Sequence, residues 1–164
     1  MIRVGQGLDV HAFSDDPDRP LVLGGLLLGE GPGLAGHSDA DVVLHAIVDA
    51  LLGAAALGDI GTVFGSDDPR YADVPSSVFL DETLRRVAVA GWRVTGVDCT
   101  VIAQRPQIGP LRTRIADAVQ ALMHLPPGSV NVKATTTDGL GFTGRGEGIA
   151  CLAVAVVERS APPA

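Results

Sequence analysis

The stretch GIACLAVAVVER at 148–159 is apolar on both faces of what must be a strand, and this constrains the fold more than any other segment. Successive strand side chains point to opposite sides. Ile149, Cys151, Ala153, Ala155 and Val157 therefore share one face, and Ala150, Leu152, Val154 and Val156 the other. A strand with a solvated face alternates apolar with polar, so this one needs cover on both sides. Helices on one side of a sheet supply half of that cover. The chain has few elements left for the second half, so a partner subunit is expected there.

The remaining segments fit around that strand. Residues 2–13 alternate, with Ile2, Val4, Leu8 and Val10 on one face and Gly5, Gly7, Asp9, His11 and Phe13 on the other. LVLGGLLL at 21–28 predicts a hairpin turning at Gly24-Gly25. HSDADVVLHAIVDALLGAAALG at 37–58 predicts a helix, with Ser38 as N-cap and Gly58 as its stop. The Gly, Ser, Asp and Pro residues of 61–76 predict a long loop. A helix follows over about 76–90, then a strand at 92–103. An amphipathic helix at 110–125 turns Leu111, Ile115, Ala118 and Leu122 inward, and a further strand occupies 130–137. Strands interspersed with helices give an α/β (α+β) single domain over 1–159, with a disordered tail at 160–164.

Composition narrows the function. At 46% apolar and 19% charged residues the chain is built to fold compactly. With only 4% aromatics, Val, Leu, Ile and Ala must fill the core. A net charge of −7 argues against nucleic acid as the main partner. No apolar run approaches the ~18 residues of a membrane span, and MIRVGQGLDVH lacks the apolar core of a signal peptide. A cytoplasmic soluble protein is the expectation, with Cys99 and Cys151 as buried reduced thiols and His124 as an exposed helix-end residue without a role.

Two constellations carry chemistry. Asp9 and His11 lie i,i+2 on a strand and leave the same face, flanked by Gly5 and Gly7, which leave room for something to approach. Asp41, His45 and Asp49 lie i,i+4,i+8 on a helix that is otherwise apolar nearly all round. Buried polar groups need partners. A metal held by Asp9, His11 and His45, with Asp49 or Asp41 accepting imidazole N–H groups in support, would supply them. Three protein ligands and one open position is the pattern of a catalytic zinc rather than a structural one. The second constellation is TTTDGLGFTGRGEG at 135–148, where hydroxyls, glycine N–H groups and Arg145 suit an anion and Asp138 suits a hard cation. A Gly-rich hairpin with solvated threonines fits the same letters equally well.

GLDVHAF, HSDADVVLHAIVDALLGAAALGDIG, VIAQRP and NVKATTTDGLGFTGRGEGIA resemble, in order from residue 7 to residue 150, the signature segments of the 2-C-methyl-D-erythritol 2,4-cyclodiphosphate synthase family. The resemblance implies a mostly four-stranded mixed sheet with helices on one face and the other face buried in a homotrimer. It implies a cytidine diphosphate-linked substrate whose 2-phosphate attacks its own β-phosphorus and expels CMP. By carry-over, Asp9, His11 and His45 are zinc ligands, and Asp138 meets a second cation, Mg2+ or Mn2+, at the diphosphate. His37 and Thr136 stabilise the transition state, and Ser38 contacts substrate phosphate. Asp59, Ile60 and Gly61 meet the methylerythritol part. Ala103, Gln107, Ile108, Gly109 and Thr135 form the nucleotide pocket of a neighbouring subunit. Val10, Phe64, Asp68, Thr137 and Phe142 complete the substrate contacts, and Arg145 with Glu147 lines a central cavity for isoprenoid phosphates. Three positions depart from the family pattern: Gly65-Ser66-Asp67-Asp68 replaces Pro-Asp-x-Asp, Gln107 replaces lysine, and Asp138 replaces glutamate. A zinc hydrolase and a non-catalytic carrier of isoprenoid phosphates are the competing readings.

Overall fold

The computed structural model describes residues 1–29, 31–65 and 69–160. In chain order the strands are β1 (Ile2–Ala12), β2 (Leu21–Leu23), β3 (Leu26–Leu28), β4 (Trp92–Ile102), β5 (Val130–Thr135) and β6 (Gly148–Arg159). The helices are α1 (Val42–Ala55), α2 (Ile60–Phe64), α3 (Ser77–Val89), α4 (Arg112–Leu122) and the single turn α5 (Gly141–Gly144). Four strands form one sheet in the order β1-β6-β4-β5. β6 is antiparallel to both β1 and β4, and β4 and β5 are parallel, so the sheet is mixed as expected. β2 and β3 form the expected hairpin, with Gly24 and Gly25 at φ 64° and 76° in the turn. No helix among the described residues is long and apolar enough to cross a membrane.

α1 lies across β1 and β6. Val42, Val43, Ile47, Val48, Leu51 and Leu52 are fully buried, and on the inward face of β6 Ile149, Cys151, Ala153, Ala155 and Val157 are equally inaccessible. What approaches Gly5 and Gly7 is α1 itself. A Cβ at Gly5 would stand 2.0 Å from the Ala50 carbonyl oxygen, and one at Gly7 2.0 Å from that of Ala46. Side chains cannot fit there, so the helix backbone sits directly on the strand.

Four local expectations need correction. The N-cap of α1 is Asp41 rather than Ser38. Its carboxylate accepts from Val43 and Leu44 N–H at 3.0 and 3.1 Å, and from Gly24 and Gly25 N–H at 2.8 and 2.6 Å, so it staples the hairpin turn to the helix start. Burial pushes the Asp41 carboxyl up to about 6, against the pull of the Gly25, Gly24 and Leu44 N–H groups. The helix stops at Ala56, φ 59°, with Leu57 N–H reaching the Leu52 carbonyl and Ala56 N–H that of Gly53, two residues before the expected Gly58. The predicted loop 61–76 contains α2, capped by the Asp59 carboxylate on Thr62 N–H, and a short turn of helix at Pro69–Tyr71. On α4 the buried pair is Ile115 and Val119 rather than Ala118. Ser160 N–H still bonds to the Gly91 carbonyl, and residues 161–164 of the expected tail lie outside the described residues.

The helices cover one sheet face. On the other, Ile2, Val4, Leu8 and Val10 are 68%, 64%, 59% and 43% exposed, beside half-buried Leu152, Val154 and Val156. The apolar residues of β1 thus point away from the chain's own core.

Candidate functional site

Asp9 and His11 leave the helix-facing side of β1, and His45 leaves α1 one turn after its cap. The close approach at Gly7 brings them together. Asp9 Oδ2 lies 3.0 Å from His11 Nε2 and 3.3 Å from His45 Nδ1, and the two ring nitrogens are 3.2 Å apart. A tetrahedral ion with ligands at about 2.0–2.1 Å spaces them about 3.3 Å apart, so the three atoms already stand at the edges of such a site.

Proton placement supports the same reading. His11 Nδ1 lies 2.7 Å from the Ala35 carbonyl, which only accepts, so Nδ1 carries the hydrogen and Nε2 the lone pair. His45 Nε2 lies 2.8 Å from Ser76 Oγ, with Ser38 Oγ at 3.3 Å. The Ser76 hydroxyl donates to Asp39 Oδ1, so the ring donates to Ser76 and Nδ1 is left with its lone pair. Asp9 Oδ2 is buried without a hydrogen-bond partner. An orphaned acid oxygen facing two nitrogen lone pairs is satisfied by a cation, and carboxylate plus two imidazoles suits a divalent one. With no ion bound, ring protons would take its place: burial alone would raise the Asp9 carboxyl, but hydrogen bonds and positive charge from protonated His11 and His45 outweigh it and hold it well below the usual range. Burial likewise opposes protonation of His11, and the Asp9 carboxylate outweighs it, moving His11 upward.

The Thr- and Gly-rich constellation lies elsewhere. Thr135 ends β5, aligned through Ile102 and Ala150 with Val10, so it belongs to the open face. β1 and β5 are opposite edges of the sheet. Three strand steps at about 4.8 Å put roughly 14 Å between them. Thr136 Oγ1 donates to Asp138 Oδ1 at 3.3 Å, and Asp138 sits at φ 51° in the turn before Gly139. Arg145 is exposed and holds the Glu147 carboxylate with two N–H groups, at 2.6 and 3.2 Å, which pulls the Glu147 carboxyl downward.

A sequence profile described as the YgbB family matches residues 2–158. The chain belongs to that family. The 2-C-methyl-D-erythritol 2,4-cyclodiphosphate synthase of Desulfatibacillum aliphaticivorans is 51% identical to it over 96% of this chain and 100% of its own length. The synthase of the same name from Halorhodospira halophila (strain DSM 244 / SL1) is 53% identical over 99% of this chain and 98% of its own. Among solved structures, an IspF–CDP complex from Plasmodium falciparum superimposes with a TM-score of 0.84 at 32% identity, over 98% of this chain and 97% of the other.

Within this YgbB-family fold the described sequence-selected residues fall into four groups. Asp9, His11 and His45 converge. His37, Asp59 and Gly61 are exposed and Ile60 is half-buried, while Val10, with its side chain on the opposite sheet face, does not join the metal group. Ala103, Gln107, Ile108 and Gly109 follow β4, with Ala103 and Ile108 buried and Gln107 and Gly109 exposed. Thr135, Thr136 and Asp138 are exposed, Thr137 bonds to Thr143 at 3.0 Å, and Phe142 is 41% exposed. Asp68, with Ser66 and Asp67, lies outside the described residues. A cleft of about 950 Å³ between the β2–β3 hairpin and residues 105–114 holds Gln107 but none of the metal group.

Three assignments are corrected. Neither Asp41 nor Asp49 supports an imidazole: Asp41 is consumed by four backbone N–H groups, and Asp49 accepts from Ile60 N–H at 2.7 Å, tying α2 to α1. Burial raises the Asp49 carboxyl. The Ser38 hydroxyl is buried against His45 and Ser76 instead of facing outward. Phe64 is a core residue, stacked edge-on with Tyr71 and Phe79. The supporting groups that sequence reasoning missed are the Ala35 carbonyl, Ser76 and Asp39. Arg19 belongs with them: its guanidinium binds the carbonyls of Leu34, Gly36 and Ser38 and so shapes the loop that carries Ala35 and His37. In sequence each looks like an ordinary loop or cap residue, with no signal of its own.

Proposed function

We propose that the chain closes 4-diphosphocytidyl-2-C-methyl-D-erythritol 2-phosphate into 2-C-methyl-D-erythritol 2,4-cyclodiphosphate with release of CMP, a step of the non-mevalonate route to isoprenoid precursors. The convergence of Asp9, His11 and His45 carries this reading, in a chain that matches synthases of that name over almost its whole length. A 2-phosphate oxygen attacks the β-phosphorus, and the bond from that phosphorus to the bridging oxygen of CMP breaks. The nucleophile is already anionic, so no general base is required and positioning dominates.

Asp9, His11 and His45 would hold Zn2+, and Asp138 would meet Mg2+ or Mn2+. Bound there, such ions neutralise phosphate charge and polarise phosphoryl oxygens. The chain's own residues do the rest. His37 and Thr136 present donors to the developing charge, Asp59, Ile60 and Gly61 orient the methylerythritol part, and Ala103, Gln107, Ile108, Gly109 and Thr135 seat the cytidine. The roughly 14 Å between the β1 and β5 edges supports a site shared by two copies, since one diphosphate cannot reach both groups of one chain. The exposed apolar strip on β1 and β6 supports a homotrimer closed on that face. In that assembly Arg145 and Glu147 would border a central cavity able to hold an isoprenoid phosphate. We place the enzyme in the cytoplasm.

Incubation with the cytidyl substrate, followed by phosphorus NMR, tests the proposal. The cyclic diphosphate with CMP is expected. Linear hydrolysis products would instead make the chain a zinc hydrolase, and unchanged substrate would leave a carrier.

A further inference from the structure

Beyond the three ligands, the order of protons behind His45 is itself built into the fold. Ser76 Oγ is fully buried, 2.8 Å from His45 Nε2, and donates its one hydrogen to Asp39 Oδ1. Asp39 is held in turn, its Oδ2 accepting Ser76 N–H at 3.1 Å and its Oδ1 accepting Asp41 N–H at 3.2 Å. The chain therefore runs carboxylate, hydroxyl, imidazole. A carboxylate takes the Ser76 hydrogen, so the Ser76 oxygen can only accept, and at 2.8 Å against 3.3 Å for the Ser38 hydroxyl it is the nearer partner, which favours a ring hydrogen on Nε2. Reversing that one hydroxyl would place the ring hydrogen on Nδ1, aimed at Asp9 Oδ2 3.3 Å away, where a cation would have to sit.

We propose that Asp39 and Ser76 are positioning residues that fix the Nε2–H tautomer of His45 and so set the affinity of the metal centre. The inference rests on the reading that Asp9, His11 and His45 hold a divalent ion. It assigns support of His45 to residues 31 positions downstream and six upstream, on the turns entering α3 and α1. Groups that orient a metal-bound imidazole in this way typically contribute 10–100-fold in affinity.

Two measurements on the full-length protein test it: zinc affinity by chelator competition, and the His45 tautomer in the metal-free protein by long-range nitrogen–proton NMR. Wild type should show Nε2–H. Ser76→Ala and Asp39→Asn should each give a mixture of tautomers and bind zinc about 10–100-fold more weakly, while Ser76→Thr, which keeps the hydroxyl, should restore both. A wild-type ring protonated on Nδ1 overturns the proposal without any variant. So does a folded Ser76→Ala or Asp39→Asn protein with zinc affinity within about twofold of wild type. A purely structural role would lower the melting temperature and leave the tautomer alone. Wild type and His45→Ala binding zinc equally would instead remove the three-ligand reading on which the inference stands.

Discussion

Replacing Gly7 by alanine tests whether the metal centre depends on bare backbone contact between β1 and α1. The added Cβ would stand 2.0 Å from the Ala46 carbonyl oxygen, 2.7 Å from Ala50 N and 2.9 Å from Asp49 Cβ. Ordinary contact needs about 3.5 Å, so strand and helix must part by roughly 1.5 Å. No flexible side chain can yield there, since two of the three neighbours are helix backbone. Asp9 lies two residues along the strand and His45 next to Ala46, so the displacement falls directly on the 3.3 Å separation of their ligand atoms. Metal sites tolerate about 0.2 Å in ligand position.

Overpacking of this kind costs about 1–3 kcal/mol. In a chain of this size that is roughly 2–12 °C of melting temperature. Gly53→Ala is the matched control: the same methyl on α1 meets nothing closer than the Gln6 carbonyl oxygen at 4.0 Å. Helix propensity predicts that Gly53→Ala stabilises by about 0.5–1 kcal/mol. The assay pairs thermal melting at fixed protein concentration with zinc content after dialysis. Gly7→Ala should melt lower and lose zinc, and Gly53→Ala should melt higher and keep it. A Gly7→Ala protein with wild-type melting and one zinc per chain would refute the argument that the glycine brings the ligands together.

His45→Ala should retain the fold but lose zinc and turnover, because one of three ligands is gone; metal analysis beside an activity assay decides, and stoichiometric zinc with normal rates would sink the assignment. Val154→Asp or Leu152→Asp should aggregate or unfold if the open face is an obligate interface, whereas a soluble, active monomer by light scattering would show that face needs no cover. Asp138→Asn should keep zinc, lower the rate and be only partly rescued by added Mg2+ or Mn2+. A silent Asp138→Asn would reduce Asp138 to a turn residue, the role its φ of 51° and its bond from Thr136 already fit.

The sheet strands were legible because their patterns are local: alternation at 2–13, continuous apolarity at 148–159, and Gly-Gly between two Leu-rich runs. The three ligands were legible for a related reason, since i,i+2 on a strand and a lone histidine on a greasy helix mark themselves. What escaped depends on distant partners. Ser38 and Asp41 are equally good capping types, and the choice falls to Asp41 because the Gly24 and Gly25 N–H groups, 17 and 16 residues earlier, need the same carboxylate. Asp49 lies on the His45 stripe yet turns to Ile60 N–H, which also explains how five residues sustain α2. The family resemblance assigns Phe64 to substrate, but its ring completes an aromatic cluster with Tyr71 and Phe79 that no local pattern announces.

The two faces of β1 together support the proposal that one chain needs another. Its glycine face draws α1 close enough to assemble Asp9, His11 and His45, and small residues there leave that strand little side-chain surface of its own to bury. Its apolar side chains consequently point outward, where Ile2, Val4 and Leu8 remain more than half exposed. At about 25 cal/mol per Å2, covering such side chains contributes on the order of 1 kcal/mol each. That gain is available only to an assembly. The same open face carries Thr135 on the far edge, across β6 and β4 from the metal group. In the homotrimer proposed above, a contact that buries the β1–β6 strip would bring one copy's Thr135–Asp138 turn toward the β1 edge of another, whose Asp9, His11 and His45 leave the helix-facing side. On that proposal the glycines that bring Asp9, His11 and His45 together also leave open the surface that would complete the site. A variant that restored side chains at Gly5 or Gly7 would damage both at once.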